Sequence, residues 1–314
     1  MSRHLILVHN KSLDASGGSL FRNLTDPAML DSIRAAASTP TLDFRSIDMT
    51  QNLRIASCQF PVSRNIAGNA KFIRRLMKDA ADAAAHVVHF PETALSGYGR
   101  LDFTSLSANN WQYLEEQTKE IVNLAGQLGL WVVLGTCRRV VAKERPANCV
   151  HVISSTGRIV GTYDKQQLAP KEPAWYTPGN GFLVITINGM KCGFLICYDA
   201  CFPDLFESYR RRGVQLVFHS CHNVSGKPKP VLQELVLAQI RTRAADNQMW
   251  ISDSNSSARY SFSTACVARP DGTVRSSRRH VPGILLHDFP DTELGWTYDN
   301  RKKKSNNSLQ VSRD

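Results

Sequence analysis

Three residues of reactive type stand at the ends of apolar runs in this chain. Cys197 lies in Gly193-Phe-Leu-Ile-Cys-Tyr-Asp-Ala-Cys-Phe-Pro-Asp204, where an apolar strand runs into a sharp polar turn. A thiol at such a corner is held by the sheet behind it and presented to a cleft in front, which is how nucleophiles are often displayed. Taken alone, a cysteine in apolar sequence can equally pack as a small hydrophobe. Glu92, in His89-Phe-Pro-Glu-Thr-Ala-Leu-Ser-Gly-Tyr98, follows the apolar run Ala83 to Val88 and by itself reads as a solvated loop carboxylate. Lys165, in Gly161-Thr-Tyr-Asp-Lys-Gln-Gln-Leu-Ala-Pro170, ends a stretch containing Ile159, Val160 and Tyr163 and by itself reads as a snorkelling surface lysine.

In this order the three segments resemble the carbon–nitrogen hydrolase family, also called the nitrilase superfamily. The resemblance runs from about Leu53 to Pro290. It implies a Glu-Lys-Cys triad of Glu92, Lys165 and Cys197, and a supporting second glutamate six residues before the proline of Thr177-Pro178-Gly179, at Glu172. The implied chemistry suits amides and nitriles, whose carbon is weakly electrophilic and whose leaving group is poor. Covalent catalysis divides that problem into two easier steps. Cys197 attacks to give a thioester, or a thioimidate from a nitrile. Glu92 takes the thiol proton, returns it to the departing amine and then activates water. Lys165 and the backbone N–H of Tyr198 stabilise the oxyanion, and Glu172 orients Lys165 or the water. No metal or other cofactor is implied. Tyr98, His222 and Asn223 are candidate substrate-binding residues.

The sequence departs from the family pattern near the substrate-facing rim. Cys201 and Asp204 stand where Arg and Glu are usual, Gln167-Leu168 follows the lysine motif in place of His-Leu, and Asn255-Ser-Ser-Ala258 replaces Asn-Arg-x-Gly. These changes leave the triad intact and the substrate open. A linear amide or N-carbamoyl compound is expected over a nitrile. A transferase on the same fold and a catalytically idle interaction subunit are the alternatives. A papain-like pairing of Cys197 with His219 or His222 is a further possibility; both histidines read better as rim or structural residues.

Composition narrows the field. The chain has 314 residues, 42% of them hydrophobic, enough for a large core. It has no run of eighteen apolar residues, so no transmembrane helix is expected. The apolar run Leu5 to Val8 is too short for a secretory leader. The eight cysteines are scattered, mostly in strand-like runs, and Cys197 and Cys201 have no second pair at zinc spacing. Scattered thiols fit a reducing compartment, and a cytoplasmic location is the expectation. The net charge of +11 is concentrated in Arg275-Ser-Ser-Arg-Arg-His280 and Arg301-Lys-Lys-Lys304 without interleaved aromatics, which argues against specific nucleic-acid binding.

These side chains must be positioned by regular elements. Residues 1–52 form an extension of unassigned role, with a strand candidate over Leu5–Val8, a helix candidate over Pro27–Ala37 and a linker at Ser38–Thr41. From Leu53, periodicity predicts strands at Leu53–Phe60, Val87–Phe90 and Leu130–Cys137, and helices at Asn65–Ala85 and Trp111–Leu128. Hairpins are predicted over Cys149–Tyr163, over Phe182–Ile196 around Asn188-Gly189, and over Ala265–Arg275. Between the last two lie helices at Pro203–Arg212 and Val231–Ala245 and strands at Val214–His219 and Met249–Ser252. This pattern gives an α/β chain with two mixed sheets. The resemblance refines it to a four-layer αββα sandwich over 53–290, followed by a polar basic tail, 291–314, and implies a homodimer or higher homo-oligomer paired through the helices near Phe202–Arg212 and Val231–Ala245.

Overall fold

The computed structural model describes residues 52–99, 101–103, 107–290, 294 and 298–301. The strand, helix and linker expected before Asn52, and most of the basic tail, lie outside the described residues. Within them, twelve strands form one hydrogen-bonded sheet that bends into two layers. The first layer has the order β12–β1–β2–β3–β4–β5, from β1 (Leu53–Phe60), β2 (Val87–His89), β3 (Trp131–Arg138), β4 (Ala147–Ile153), β5 (Ile159–Asp164) and β12 (Gly283–Phe289). The second has the order β6–β7–β8–β9–β10–β11, from β6 (Val184–Ile187), β7 (Met190–Ile196), β8 (Leu216–Ser220), β9 (Trp250–Ser256), β10 (Cys266–Ala268) and β11 (Val274–Ser276). The layers join where β1 and β9 pair in parallel, Gln59 opposite Asn255 and Phe60 opposite Ser256. Two sheets were expected. They are continuous because β9 runs four residues beyond its predicted end and reaches β1.

Alternation along the strands decides what each face covers. In the first sheet Ala56, Cys58, Val88, Val132 and Leu134 point outward and pack on α1 (Ile66–Asp82) and α2 (Ala108–Leu128) through Ile73, Met77, Leu114 and Ile121. Leu53, Ile55, Val87 and Val133 point inward to the second sheet. That sheet's outer face is covered by α3 (Pro203–Arg211) and α4 (Pro230–Asn247), which contribute Leu205, Phe206, Ile240 and Ala244. The result is the four-layer αββα sandwich.

Local signals set the helix bounds. Asn65 caps α1 by accepting the Gly68 N–H at 3.0 Å, and Ser107 and Asn110 cap α2 reciprocally. The second cap starts α2 three residues before Trp111, its expected first residue. The Asn188-Gly189 turn has φ of 45° and 79°, the two positive values a type I′ hairpin needs. The strand β12 had no expectation; it pairs with β1 along its whole length. Among the described residues no helix is long and apolar enough to cross a membrane.

Candidate active site

The pairings make β1, β2, β3, β5, β7, β8 and β9 run in one direction. Lys165 and Cys197 directly follow β5 and β7, Glu92 comes three residues after β2, and His222 and Asn223 follow β8. All therefore lie at the carboxyl ends of parallel strands, where α/β sheets open their crevices.

Close backbone approach fixes the first two residues. A Cβ on Gly135 of β3 would sit 1.9 Å from the Pro91 carbonyl oxygen, so only glycine lets the Glu92 turn press onto the sheet. The Glu92 N–H then donates to the Cys221 carbonyl at 3.3 Å. Lys165 is pinned on both sides, its N–H donating to the Asn148 carbonyl (2.9 Å) and its carbonyl accepting the Gly179 N–H (2.8 Å).

Cys197 has φ of 46°, a left-handed conformation costly for a non-glycine residue. It opens a single-turn helix, Cys197–Cys201. Asp199 holds that turn: its carboxylate accepts the Ile196 N–H (2.9 Å), the Gln167 N–H (2.8 Å) and the Tyr163 hydroxyl (2.8 Å), tying β7, β5 and the lysine segment together. Burial raises the Asp199 pKa, against the pull of those two N–H groups and Lys165.

The charged centre is closed from water. Lys165 Nζ lies 2.7 Å from Glu92 Oε1 and 2.7 Å from Glu172 Oε1, and all three side chains are buried. Burial favours a neutral amine, but the charges of Glu92, Cys197 and Glu172 outweigh it and hold the lysine pKa well above its ordinary value. Glu92 Oε1 also accepts from Asn148 Nδ2 (2.7 Å), and its Oε2 accepts the His222 N–H (2.9 Å). Glu172 accepts the Tyr98 hydroxyl at 2.5 Å and the Ala169 N–H at 2.6 Å. An ammonium has three N–H groups; two serve the carboxylates and one is left over.

Tyr98 stacks on His222, with ring centroids 5.0 Å apart. Neither ring nitrogen of His222 has a partner among the described residues. Burial pushes its pKa down to about 4, so the ring is neutral at pH 7. Asn223 Oδ1 is 3.6 Å from Cys197 Sγ, and its N–H donates to Asn255 Oδ1 at 2.9 Å. The Tyr198 ring packs edge-on against Phe202, with ring centroids 5.5 Å apart.

The structure thus brings Glu92, Lys165, Glu172, Tyr98, His222, Asn223 and Cys197 to one crevice. It adds Asn148 and Asp199, to which sequence reasoning gave no role. Asp199 lies inside the Cys197 segment, so it was in view; Asn148 sits in a strand with no distinguishing spacing. Cys201 is exposed and touches Gln239 Nε2 at 3.6 Å. The nucleophile turn is tied to α4, where Arg243 Nε donates to the Ala200 carbonyl at 3.2 Å. Tyr176 and Trp250 are buried packing residues, and Trp175 is partly buried. A recess of about 400 Å³ is lined by Trp111, Arg139, Arg145 and Trp175 among others, but by none of Glu92, Lys165 or Cys197.

Behind the nucleophile, His219, Cys221 and Asp253 bring donor atoms within 4.8 Å of one another. His219 Nδ1 and Asp253 Oδ1 are 2.7 Å apart. Two ligands of one tetrahedral zinc would be separated by about 3.3 Å at ordinary bond lengths. The group is therefore a hydrogen-bonded cluster, not a metal cage.

Residues 54–290 match the family model described as carbon-nitrogen hydrolase. The chain is 26% identical over 245 residues to a hydrolase in the pqqF 5' region of Pseudomonas protegens, covering 76% of this chain and 82% of that one. It is 25% identical over 259 residues to the human omega-amidase NIT2, covering 76% and 88%. It is 24% identical over 262 residues to the human deaminated glutathione amidase, covering 74% and 75%. Among solved structures it is similar to an amidase from Nesterenkonia sp., with a TM-score of 0.67, 22% identity and coverage of 82% and 96%.

Proposed function

Because the chain belongs to the carbon–nitrogen hydrolase family, we propose that it hydrolyses the C–N bond of a small linear amide or N-carbamoyl compound through a thioester on Cys197. Supporting this reading above all is Lys165 Nζ, held 2.7 Å from both Glu92 and Glu172 in a buried cluster beside a cysteine in left-handed conformation. Names among the relatives point the same way, since two are amidases.

In the first half-reaction the Cys197 S–H proton passes to Glu92 and sulfur bonds to the carbonyl carbon. The oxyanion takes the unused Lys165 N–H and the Tyr198 backbone N–H; losing one such donor typically costs about 10²–10³ in rate. The C–N bond breaks as Glu92 protonates the leaving nitrogen, releasing ammonia from a primary amide. Water then gives a proton to Glu92 and its oxygen to the thioester, and acid leaves as the thiol is restored. Glu172 fixes the direction of Lys165. His222, neutral and with no ring-nitrogen partner among the described residues, and Asn223 would bind the substrate's polar groups, with Tyr98 holding the His222 ring. We place the enzyme in the cytoplasm, from its scattered thiols, and as a homodimer.

Ammonia release across small amides, N-carbamoyl compounds and nitriles tests this. Amide or carbamoyl turnover should exceed nitrile turnover, an acyl-Cys197 adduct should be trapped by mass spectrometry, and Cys197→Ala should be inactive but folded while Cys201→Ala stays active. Faster nitrile turnover would reverse the substrate choice. An active Cys197→Ala with a dead Cys201→Ala would overturn the nucleophile.

A further inference from the structure

One group bound to the nucleophile's backbone belongs to neither the charged cluster nor the substrate crevice. His219 is buried at the end of β8 with both ring nitrogens engaged. Nε2 is 3.0 Å from the Cys197 carbonyl oxygen, and Nδ1 is 2.7 Å from Asp253 Oδ1 on β9. A carbonyl oxygen only accepts, so Nε2 carries a proton. Asp253 is surrounded by donors: Cys221 Sγ is 3.3 Å from Oδ1 and Cys266 Sγ is 3.8 Å from Oδ2. At 2.7 Å the Nδ1–Oδ1 contact requires a proton between the two atoms, and the carboxylate accepts it from Nδ1. Both ring nitrogens then hold hydrogens, and the ring is an imidazolium.

We propose that His219, held as an imidazolium between the Asp253 carboxylate and the Cys197 carbonyl, is a positioning residue that keeps Cys197 in its left-handed conformation and favours its thiolate. The inference rests on Cys197 being the nucleophile of the proposed hydrolysis.

The strain at Cys197 needs such a counterpart. A residue at φ of 46° persists only where its surroundings hold it. Asp199 fixes the turn on one side, and His219 fixes the carbonyl on the other. The remaining titratable groups around His219 are consistent with a charged ring. Asp253 faces it from β9, Cys221 from the following turn, and Asp199 from the turn after β7. From β2, His89 would repel it if charged. That ring is bound to the Ser252 and Ser220 hydroxyls, and burial keeps it neutral. Burial alone would discharge His219, but its bonds to Asp253 and Cys197 and the nearby negative charges raise its pKa.

The test reads the thiol directly and needs no substrate. Iodoacetamide alkylation of Cys197 is followed by peptide mass against pH in the wild type and in Asp253→Asn. This variant keeps the shape of the pair but removes the charge that holds the imidazolium. Expected is a rise of about one unit in the inflection and roughly tenfold slower alkylation at pH 7, with Cys201 alkylation unchanged as the internal control. A purely structural role would change stability and leave the profile in place. The wild type supplies a second readout that no folding defect can spoil: nitrogen-15 NMR of the His219 ring should show both nitrogens protonated between pH 6 and 9. Superimposable alkylation profiles, or a neutral His219 in the wild type, would overturn the proposal. A shifted profile in a protein that turns over no amide would keep His219's role and reject the hydrolase reading. Amide turnover with an unshifted profile would do the reverse.

Discussion

Lys165 is the residue on which the charge balance of the site depends. Its ammonium is buried between the Glu92 and Glu172 carboxylates, 2.7 Å from each. Removing one member of a buried ion pair strands the other, at a typical cost of about 3–5 kcal/mol. Lys165→Met should therefore abolish activity and also lower stability by about that amount, whereas Cys197→Ala should lower activity alone; urea melts of the two variants distinguish them. A melting midpoint for Lys165→Met equal to wild type would mean the carboxylates are not charged together. His222 gives a pH dependence of definite sign. In the folded protein it resists protonation down to about pH 4, but in the unfolded chain it takes a proton near 6.5. Between those values the unfolded state holds more protons, so its contribution to stability is complete above about pH 6.5 and is lost as pH falls towards 4. His222→Gln should flatten the urea midpoint over that window. An unchanged slope would show that the folded ring is already charged.

At the scale of elements, the site is made by strand ends and by what lets them approach. Gly135 of β3 is the clearest case, because a methyl group there would overlap the Pro91 carbonyl. Gly135→Ala should cost about 1–3 kcal/mol, as overpacking usually does, and should lower kcat by displacing Glu92, two properties measurable by urea melts and steady-state kinetics. Normal activity in that variant would mean the Glu92 turn is not set by β3. This constraint was not legible in the sequence, where Gly135 is one glycine inside an apolar strand. Adjacent residues were legible: the Asn188-Gly189 hairpin and the runs ending at Cys197 and Lys165 follow from local periodicity and turn chemistry, and the structure forms them. What periodicity lacked was long-range pairing. The strand β12 meets β1 more than two hundred residues away in sequence, and no local pattern announces its partner. Likewise Asp253 lies just past the strand expected over Met249–Ser252, and only folding shows that it faces His219.

At the scale of the whole molecule, the second sheet's helix layer is unfinished. In α4 only Ile240 and Ala244 are buried, while Val231, Leu232, Leu235 and Leu237 expose 76%, 38%, 48% and 40% of their surfaces. A helix with that many exposed aliphatic residues is uncommon on a lone surface and suits an interface. A second copy of the chain is the partner expected here, on the side where the sequence resemblance implied pairing. The same helix reaches the nucleophile turn through Gln239 on Cys201 and Arg243 on the Ala200 carbonyl. Pairing through α4 would therefore restrain the turn that carries Cys197, and precise positioning of a nucleophile needs such restraint. The expected outcome is a dimer at low micromolar concentration. Replacing both Val231 and Leu235 with Glu, one helical turn apart, should give a folded monomer with reduced kcat. Light scattering and activity on the same samples decide the matter: a wild-type monomer with full activity would refute both the pairing and its support of the site, and a fully active monomeric variant would refute the support alone.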